Sequence, residues 1–271
     1  MKYKFLVLDL DGTLTNSQKE ITQHTLQVLL QAQSEGIKLV LASGRPTYGI
    51  TPLAEELQMN HFGGYILSFN GGKIIDTSTM EVLYQQILPH SIIATLHQAA
   101  LKAGATILSY RNENIITEEP SNRYVQHEAF LTKMATMQVD NFTEAIDFSP
   151  NKCLIVGEEQ QLIPLAEELN EQFSDTLSAY RSEPFFLEVV PKGIDKALSL
   201  KRLLEHENGT TDQMIAVGDG FNDLSMIQLA GLGVAMANAQ EVVKQAADYI
   251  TLSNDEDGVA AVVEKLLLGT L

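Results

Sequence analysis

Three short apolar runs, residues 3–8, 37–42 and 65–69, alternate with stretches of helical periodicity, and this alternation constrains the fold more than any other feature. Runs this continuous suit strands buried on both faces rather than strands with one wet face. Between the first two, Ile21, Leu26, Leu29 and Leu30 recur at near-helical spacing, and Gly36 is placed to end a helix over 21–34. A second helix is expected over 48–58. Strand, helix, strand, helix, strand predicts a parallel sheet covered by helices. The same alternation resumes after Pro191, with helices over 194–205, 223–230, 242–246 and 258–268 and strands over 213–217, 233–236 and 249–252. The stretch between is different. It predicts helices over 91–103, 124–131 and 161–173, with strands over 106–110, 114–117, 152–156, 176–180 and 185–190. Strands that adjoin strands suggest an antiparallel sheet. The expected architecture is therefore α/β, a Rossmann-like parallel-sheet core built from residues 1–83 and 190–271, interrupted by an α+β domain over 84–189.

Composition narrows the function by exclusion. A formal net charge of -17 opposes broad nucleic-acid binding, which draws on clustered Lys and Arg. An anionic substrate would need local positive charge or a metal at its site. No apolar run reaches the roughly 20 residues needed to cross a bilayer, so no membrane partner is expected. Asp9 and Asp11 interrupt the first apolar stretch, which does not read as a secretory leader. With one cysteine, Cys153, an intrachain disulfide framework is excluded, and a cytoplasmic protein is expected.

Four polar segments each follow a predicted core strand. The first is Asp9-Leu10-Asp11-Gly12-Thr13-Leu14. Ligands of open α/β sheets bind beyond the carboxyl ends of strands, and two aspartates one residue apart point the same way from an extended chain. Gly12 permits a tight turn and close approach of backbone N–H groups to an oxyanion. An ordinary Asp-Gly turn would read the same. Ser43-Gly44-Arg45-Pro46 offers a hydroxyl and backbone donors for phosphate, although alone it is better explained as a turn before a helix. Gly218-Asp219-Gly220-Phe221-Asn222-Asp223 supplies acidic groups for a hard cation, or an Asx turn capped by Asp223. Pro191-Lys192-Gly193-Ile194-Asp195-Lys196 carries lysines that would offset crowded carboxylates, or simply lie at the surface. Independent turns have no reason to fall at the ends of core strands in this order.

These residues resemble the haloacid dehalogenase-like (HAD) superfamily, in its Cof-type sugar-phosphatase branch with a large cap of the second class. The resemblance spans essentially the whole chain, and the Asp-x-Asp-Gly-Thr-Leu and Gly-Asp-x-x-Asn-Asp pair is its most specific element. It implies an HAD-like core with the inserted domain acting as the cap. It implies that Asp9 is a nucleophile forming an aspartyl-phosphate and also a metal ligand. Asp11 is implied to be the general acid and base, with its backbone carbonyl on the metal. Ser43, Gly44 and Gly12 are implied to bind phosphate, and Asp219 to bind metal. Asn222 falls near phosphate or metal, with Asp223 in support. In similar proteins the active lysine follows Gly-Val/Ile-Asp/Ser/Asn, which selects Lys196 over Lys192. The next residue is usually glycine and here is Ala197, so a shared role for Lys192 stays open. Asn70-Gly71-Gly72 resembles a family turn bordering the substrate.

The implied activity is magnesium-dependent hydrolysis of a small phosphorylated metabolite, such as a sugar phosphate, by a monomer or homodimer. Alternatives are a phosphomutase of the same superfamily or a catalytically silent phosphate-binding module. The cap is expected to select the substrate, with Arg123, Tyr124, His127 and Arg181 as surface candidates that carry no assignment.

Overall fold

The computed structural model describes residues 2–269. Strands β1 (Phe5–Leu8), β2 (Lys38–Ala42), β3 (Gly64–Ser68), β4 (Lys73–Asp76) and β5 (Val82–Gln85) come first in the chain. They are followed by β6 (Thr106–Arg111), β7 (Asn114–Thr117), β8 (Ala135–Gln138), β9 (Cys153–Val156), β10 (Leu177–Glu183) and β11 (Phe186–Pro191). The last three are β12 (Met214–Gly218), β13 (Leu232–Ala235) and β14 (Tyr249–Ile250). The chain divides into two compact units, one running up to Tyr84 and again from Asp195 onward, the other Gln85–Ile194.

The first unit is built on a sheet of order β14-β13-β12-β1-β2-β3-β4-β5. Pairing is parallel from β14 to β3, and β4 turns back antiparallel to β3. Every residue of β1 is buried, which matches its unbroken apolar sequence. Register then positions the site. Leu8 lies opposite Leu41 on one side and Val217 on the other, so the chain leaves β1, β2 and β12 along one rim. Burial of Leu6, Leu8, Leu39, Leu41 and Ile66 contributes about 1.5–3 kcal/mol for each side chain.

Local chemistry sets the helices. Gln23–Ser34 starts two residues later than the predicted 21–34 because Thr22 caps it, its hydroxyl accepting from the Thr25 N–H at 3.1 Å. Of the helix expected over 48–58 the α-helical part is Thr51–Glu56, and Gln58, left-handed at φ 52, separates it from a further short helix, Met59–Phe62. The helix Lys196–His206 begins at Asp195, whose carboxylate accepts from the Leu198 N–H at 3.0 Å. The short strands β4, β5 and β8 and the helix Phe142–Ala145 go beyond the sequence expectation.

The second unit holds a sheet of order β10-β11-β9-β6-β7-β8. It is antiparallel throughout except for the parallel β7–β8 pair. Ile93–Lys102 and Glu159–Gln172 cover one face with Leu96, Leu162, Leu165 and Leu169, against Ile107, Ile155, Leu187 and Val189. This is an α+β layer with its own core. Among the described residues, no helix is long and apolar enough to cross a membrane.

Asp195→Ala removes the cap from the helix that begins with Lys196. It is expected to lower unfolding free energy by about 1 kcal/mol, measured by urea denaturation.

Candidate active site

The carboxyl ends of β1, β2 and β12 deliver their polar residues to one place in the first unit. Asp9 directly follows β1, is 6% exposed, and donates its N–H to the Val217 carbonyl at 3.0 Å. Beside it lies Lys196, 1% exposed. The Lys196 Nζ donates to Asp9 Oδ1 at 2.7 Å, to Asp223 Oδ1 at 2.6 Å and to the Ala42 carbonyl at 2.8 Å. An ammonium has three donors, and here all three are used. Lys192 is exposed and belongs to the second unit, its N–H donating to the Thr176 carbonyl.

Asp223 takes part through both oxygens. While Oδ1 accepts from Lys196, Oδ2 accepts from the N–H groups of Asp219 and Gly220 at 2.9 Å each. The loop after β12 is thereby folded around a buried carboxylate, which fixes Asp219. Thr13 donates its hydroxyl to Asp219 Oδ1 at 2.8 Å, joining the first motif to the third. Gly12 sits at φ +86, and a Cβ there would fall 2.4 Å from Asp219 Oδ2. Both the left-handed backbone and the close approach call for glycine. Asn238 donates to the Gly12 carbonyl at 2.8 Å and holds the turn from outside the motif.

Ser43 is buried, and its Oγ accepts from the Arg45 N–H at 3.1 Å. Asn222 is exposed and donates to Asn70 Oδ1 at 3.0 Å, while the Asn70 side chain packs within 3.2 Å of where a Cβ on Gly44 would stand. Asn70 is itself left-handed at φ 55. The second motif, the Asn70 turn and Asn222 are thus neighbours.

Asp11 is turned to a different set of partners. Arg45 grips it with Nε on Oδ2 at 2.7 Å and Nη2 on Oδ1 at 2.6 Å, and Lys19 Nζ adds a contact to Oδ1 at 2.8 Å. The guanidinium is 7% exposed and also donates to the Gly49 carbonyl at 3.2 Å. Arg45 stands inside the second sequence motif without an assigned role, and Lys19 carries no sequence signal at all.

Electrostatics follow from these contacts. Burial first, then the charges of Asp223 and Asp219, push the Asp9 carboxyl well above its usual range, while Lys196 opposes them. Asp219 is raised to about 6 by burial, with Asp223 adding to it and the Thr13 hydrogen bond opposing. Burial also lowers the proton affinity of Lys196, but Asp223 and Asp9 outweigh it and the ammonium stays charged. For Asp11 burial acts upward, yet the Arg45 and Lys19 contacts prevail and hold it below the usual carboxylate range. With the protein's own charges alone, Asp9 is shifted toward its protonated form and Asp11 toward its ionised form.

Asp9, Asp219 and Asp223 each place a carboxylate oxygen within 4.8 Å of the others. Three carboxylates face one ammonium there, an excess of negative charge on hard oxygen donors, which fits a divalent cation. Asp223 is committed to Lys196 and two backbone donors, so Asp9 and Asp219 are the side chains with capacity to hold it.

A parallel α/β sheet with an acidic, lysine-bridged cluster at its carboxyl rim is an arrangement suited to phosphoryl transfer. A family described as haloacid dehalogenase-like hydrolase matches residues 6–263, and the chain belongs to that family. A crystal structure of a haloacid dehalogenase-like hydrolase from Bacteroides thetaiotaomicron is 55% identical in sequence. It superposes with a TM-score of 0.97 over 98% of this chain and 100% of that one. A HAD subclass IIB sugar phosphatase is 28% identical with a TM-score of 0.81, over 99% and 100% of the two chains. A 5-amino-6-(5-phospho-D-ribitylamino)uracil phosphatase of Bacillus subtilis is 29% identical over 98% of this chain and 96% of that one. The chain is a phosphatase of this family.

Raised carboxyls link stability to pH. Asp219 binds a proton more readily folded than unfolded, so the folded protein holds the extra proton between its unfolded value of 3.8 and about 6. Chelator-treated protein should therefore melt at a higher temperature as pH falls from about 7 to about 5. Asp219→Asn should shrink that gain, and magnesium added at the higher pH should recover it. Calorimetry at both pH values checks the sign.

Proposed function

We propose that this chain is a magnesium-dependent phosphatase of small phosphorylated metabolites, sugar phosphates in particular, acting through an aspartyl-phosphate on Asp9. One observation carries the reading. Lys196 bridges Asp9 and Asp223 beside Asp219, so a nucleophilic carboxylate, a cation site and a buried ammonium meet at the end of the central strand. The similarity to a subclass IIB sugar phosphatase supports the substrate class.

In the first half-reaction Asp9 attacks phosphorus. An Asp9 oxygen–phosphorus bond forms, the ester oxygen–phosphorus bond breaks, and Asp11 gives its proton to the leaving oxygen. In the second, a water oxygen attacks phosphorus, its proton passes to Asp11, and the bond to Asp9 breaks with its electron pair returning to the carboxylate. Lys196 engages one Asp9 oxygen and leaves the other for attack, and it stabilises charge on the transferring group. The Ser43 hydroxyl, the backbone around Gly44 and Gly12, and Asn222 serve as phosphate donors. Asp9, Asp219 and the Asp11 backbone carbonyl would hold magnesium, and Asp223 positions Lys196 and the Asp219 loop. When bound, magnesium supplies charge neutralisation and lowers the proton affinity of Asp9.

Asp9→Asn is expected to reduce magnesium-dependent hydrolysis of 4-nitrophenyl phosphate by about a thousandfold or more without loss of folding. Near-normal turnover would remove Asp9 as the nucleophile. Asp11→Asn should cost a sugar phosphate, with its poor leaving group, about tenfold more than an activated aryl phosphate. Equal losses would argue against the acid role. A panel of phosphorylated metabolites, scored for released phosphate with and without a bisphosphate activator, separates phosphatase from mutase.

A further inference from the structure

Asn238 lies outside the four polar segments and is exposed, yet both ends of its amide are committed to backbone. Its Oδ1 accepts from the Asn254 N–H at 3.0 Å, and its Nδ2 donates to the Gly12 carbonyl at 2.8 Å. A backbone N–H can only donate, so the contact with Asn254 decides which end of the amide faces Gly12. The strands behind these residues explain the reach. β13 and β14 continue the parallel part of the sheet, so the chain leaves them along the rim already used by β1 and β12. The loop after β13 supplies Asn238, and the loop after β14 supplies Asn254. Asn254 also donates its side chain to the Thr15 carbonyl at 2.9 Å, and Asp255 accepts from the N–H and hydroxyl of Ser17. Two late loops thus hold the first motif.

The loop after β13 holds the third motif as well, because the Gln240 N–H donates to the Asp219 carbonyl at 2.9 Å. Residues 238–240 therefore grip both segments that carry the proposed cation ligands, one at Gly12 and the other at Asp219. A direct link joins those segments, the Thr13 hydroxyl on Asp219 Oδ1 at 2.8 Å. Gly12 is the soft point of this arrangement. A Cβ there would fall 2.4 Å from Asp219 Oδ2, so glycine is required, and a glycine backbone is the least restricted of all. Rotation of the Gly12–Thr13 peptide would swing the Thr13 hydroxyl off Asp219, and Asn238 holds the carbonyl of that peptide. Resting on the proposed magnesium dependence, we infer that Asn238 is a positioning residue for the cation site. It acts through the Gly12–Thr13 peptide to keep Asp219 in place relative to Asp9. Its own contacts are to backbone, so what it contributes is pre-organisation of the ligands.

Isothermal titration of the whole chain with magnesium chloride reads this without turnover. Asn238→Ala is expected to weaken magnesium binding about tenfold, a loss typical of groups that orient metal ligands. The position is exposed, so the core is left intact. Asn238→Ser, whose hydroxyl ends short of the Gly12 carbonyl, carries the same expectation. Thr13→Val removes the next link and should also weaken binding. Both changes act through one peptide, so the loss in the double variant should be smaller than the two single losses multiplied together. Half-saturating magnesium for 4-nitrophenyl phosphate hydrolysis should rise about tenfold in Asn238→Ala, with turnover at saturating magnesium within about threefold of native. A lowered melting temperature with native magnesium affinity overturns the role of Asn238 and leaves the phosphatase reading standing. Fully multiplicative losses overturn the route through the Gly12–Thr13 peptide. Absence of magnesium binding and of magnesium-dependent hydrolysis in the native protein overturns the magnesium reading, and the Asn238 inference falls with it.

Discussion

A single buried ammonium ties the site together. Lys196 meets Asp9 at the end of β1, the Ala42 carbonyl at the end of β2 and Asp223 after β12. Two of these acceptors are buried carboxylates, whose mutual repulsion would otherwise push the strand ends apart. Truncating the lysine would leave both without a counter-charge, a larger loss than the hydrogen bonds themselves. Its influence reaches one step further, because the Asp223 that it holds also gathers the N–H groups of Asp219 and Gly220. Lys196 thus reaches the backbone of Asp219 and Gly220 through Asp223.

The proton preferences of the two motif aspartates gain meaning in this frame. Two residues apart, Asp9 is crowded by carboxylates and Asp11 by cations, so burial acts on both in the same direction and the neighbours decide the outcome. The proposed cycle requires the opposite assignment in its first half. A divalent cation held by Asp9 and Asp219 would lower the proton affinity of Asp9.

Sequence patterning made the central sheet legible because β1, β2, β3 and β12 are buried on both faces and read as unbroken apolar runs. The strands β4, β5 and β8 are four residues each, carry partly exposed residues and lie toward the sheet edges, so periodicity had little to register. Asp9, Ser43 and Asp219 were legible because each adjoins the end of a strong run. The choice of Lys196 over Lys192 needed the family resemblance, since neither lysine's spacing distinguishes a buried ammonium from a surface one. Arg45 and Lys19 on Asp11 were beyond reach. Their contacts depend on the Gly49 carbonyl and on a left-handed Lys19, features of loop geometry that composition and period do not encode.

The place where the second unit enters the chain has its own consequence. It departs after β5, the outermost strand of the eight-stranded sheet, and the chain returns at the cap of the helix carrying Lys196. No strand between β14 and β3 is interrupted. Segments gained or lost within 85–194 therefore leave the registers of β12, β1, β2 and β3 unaltered. The reaction chemistry and the inserted module can diverge on separate schedules, one conserved by strand pairing and the other open to replacement as a cassette.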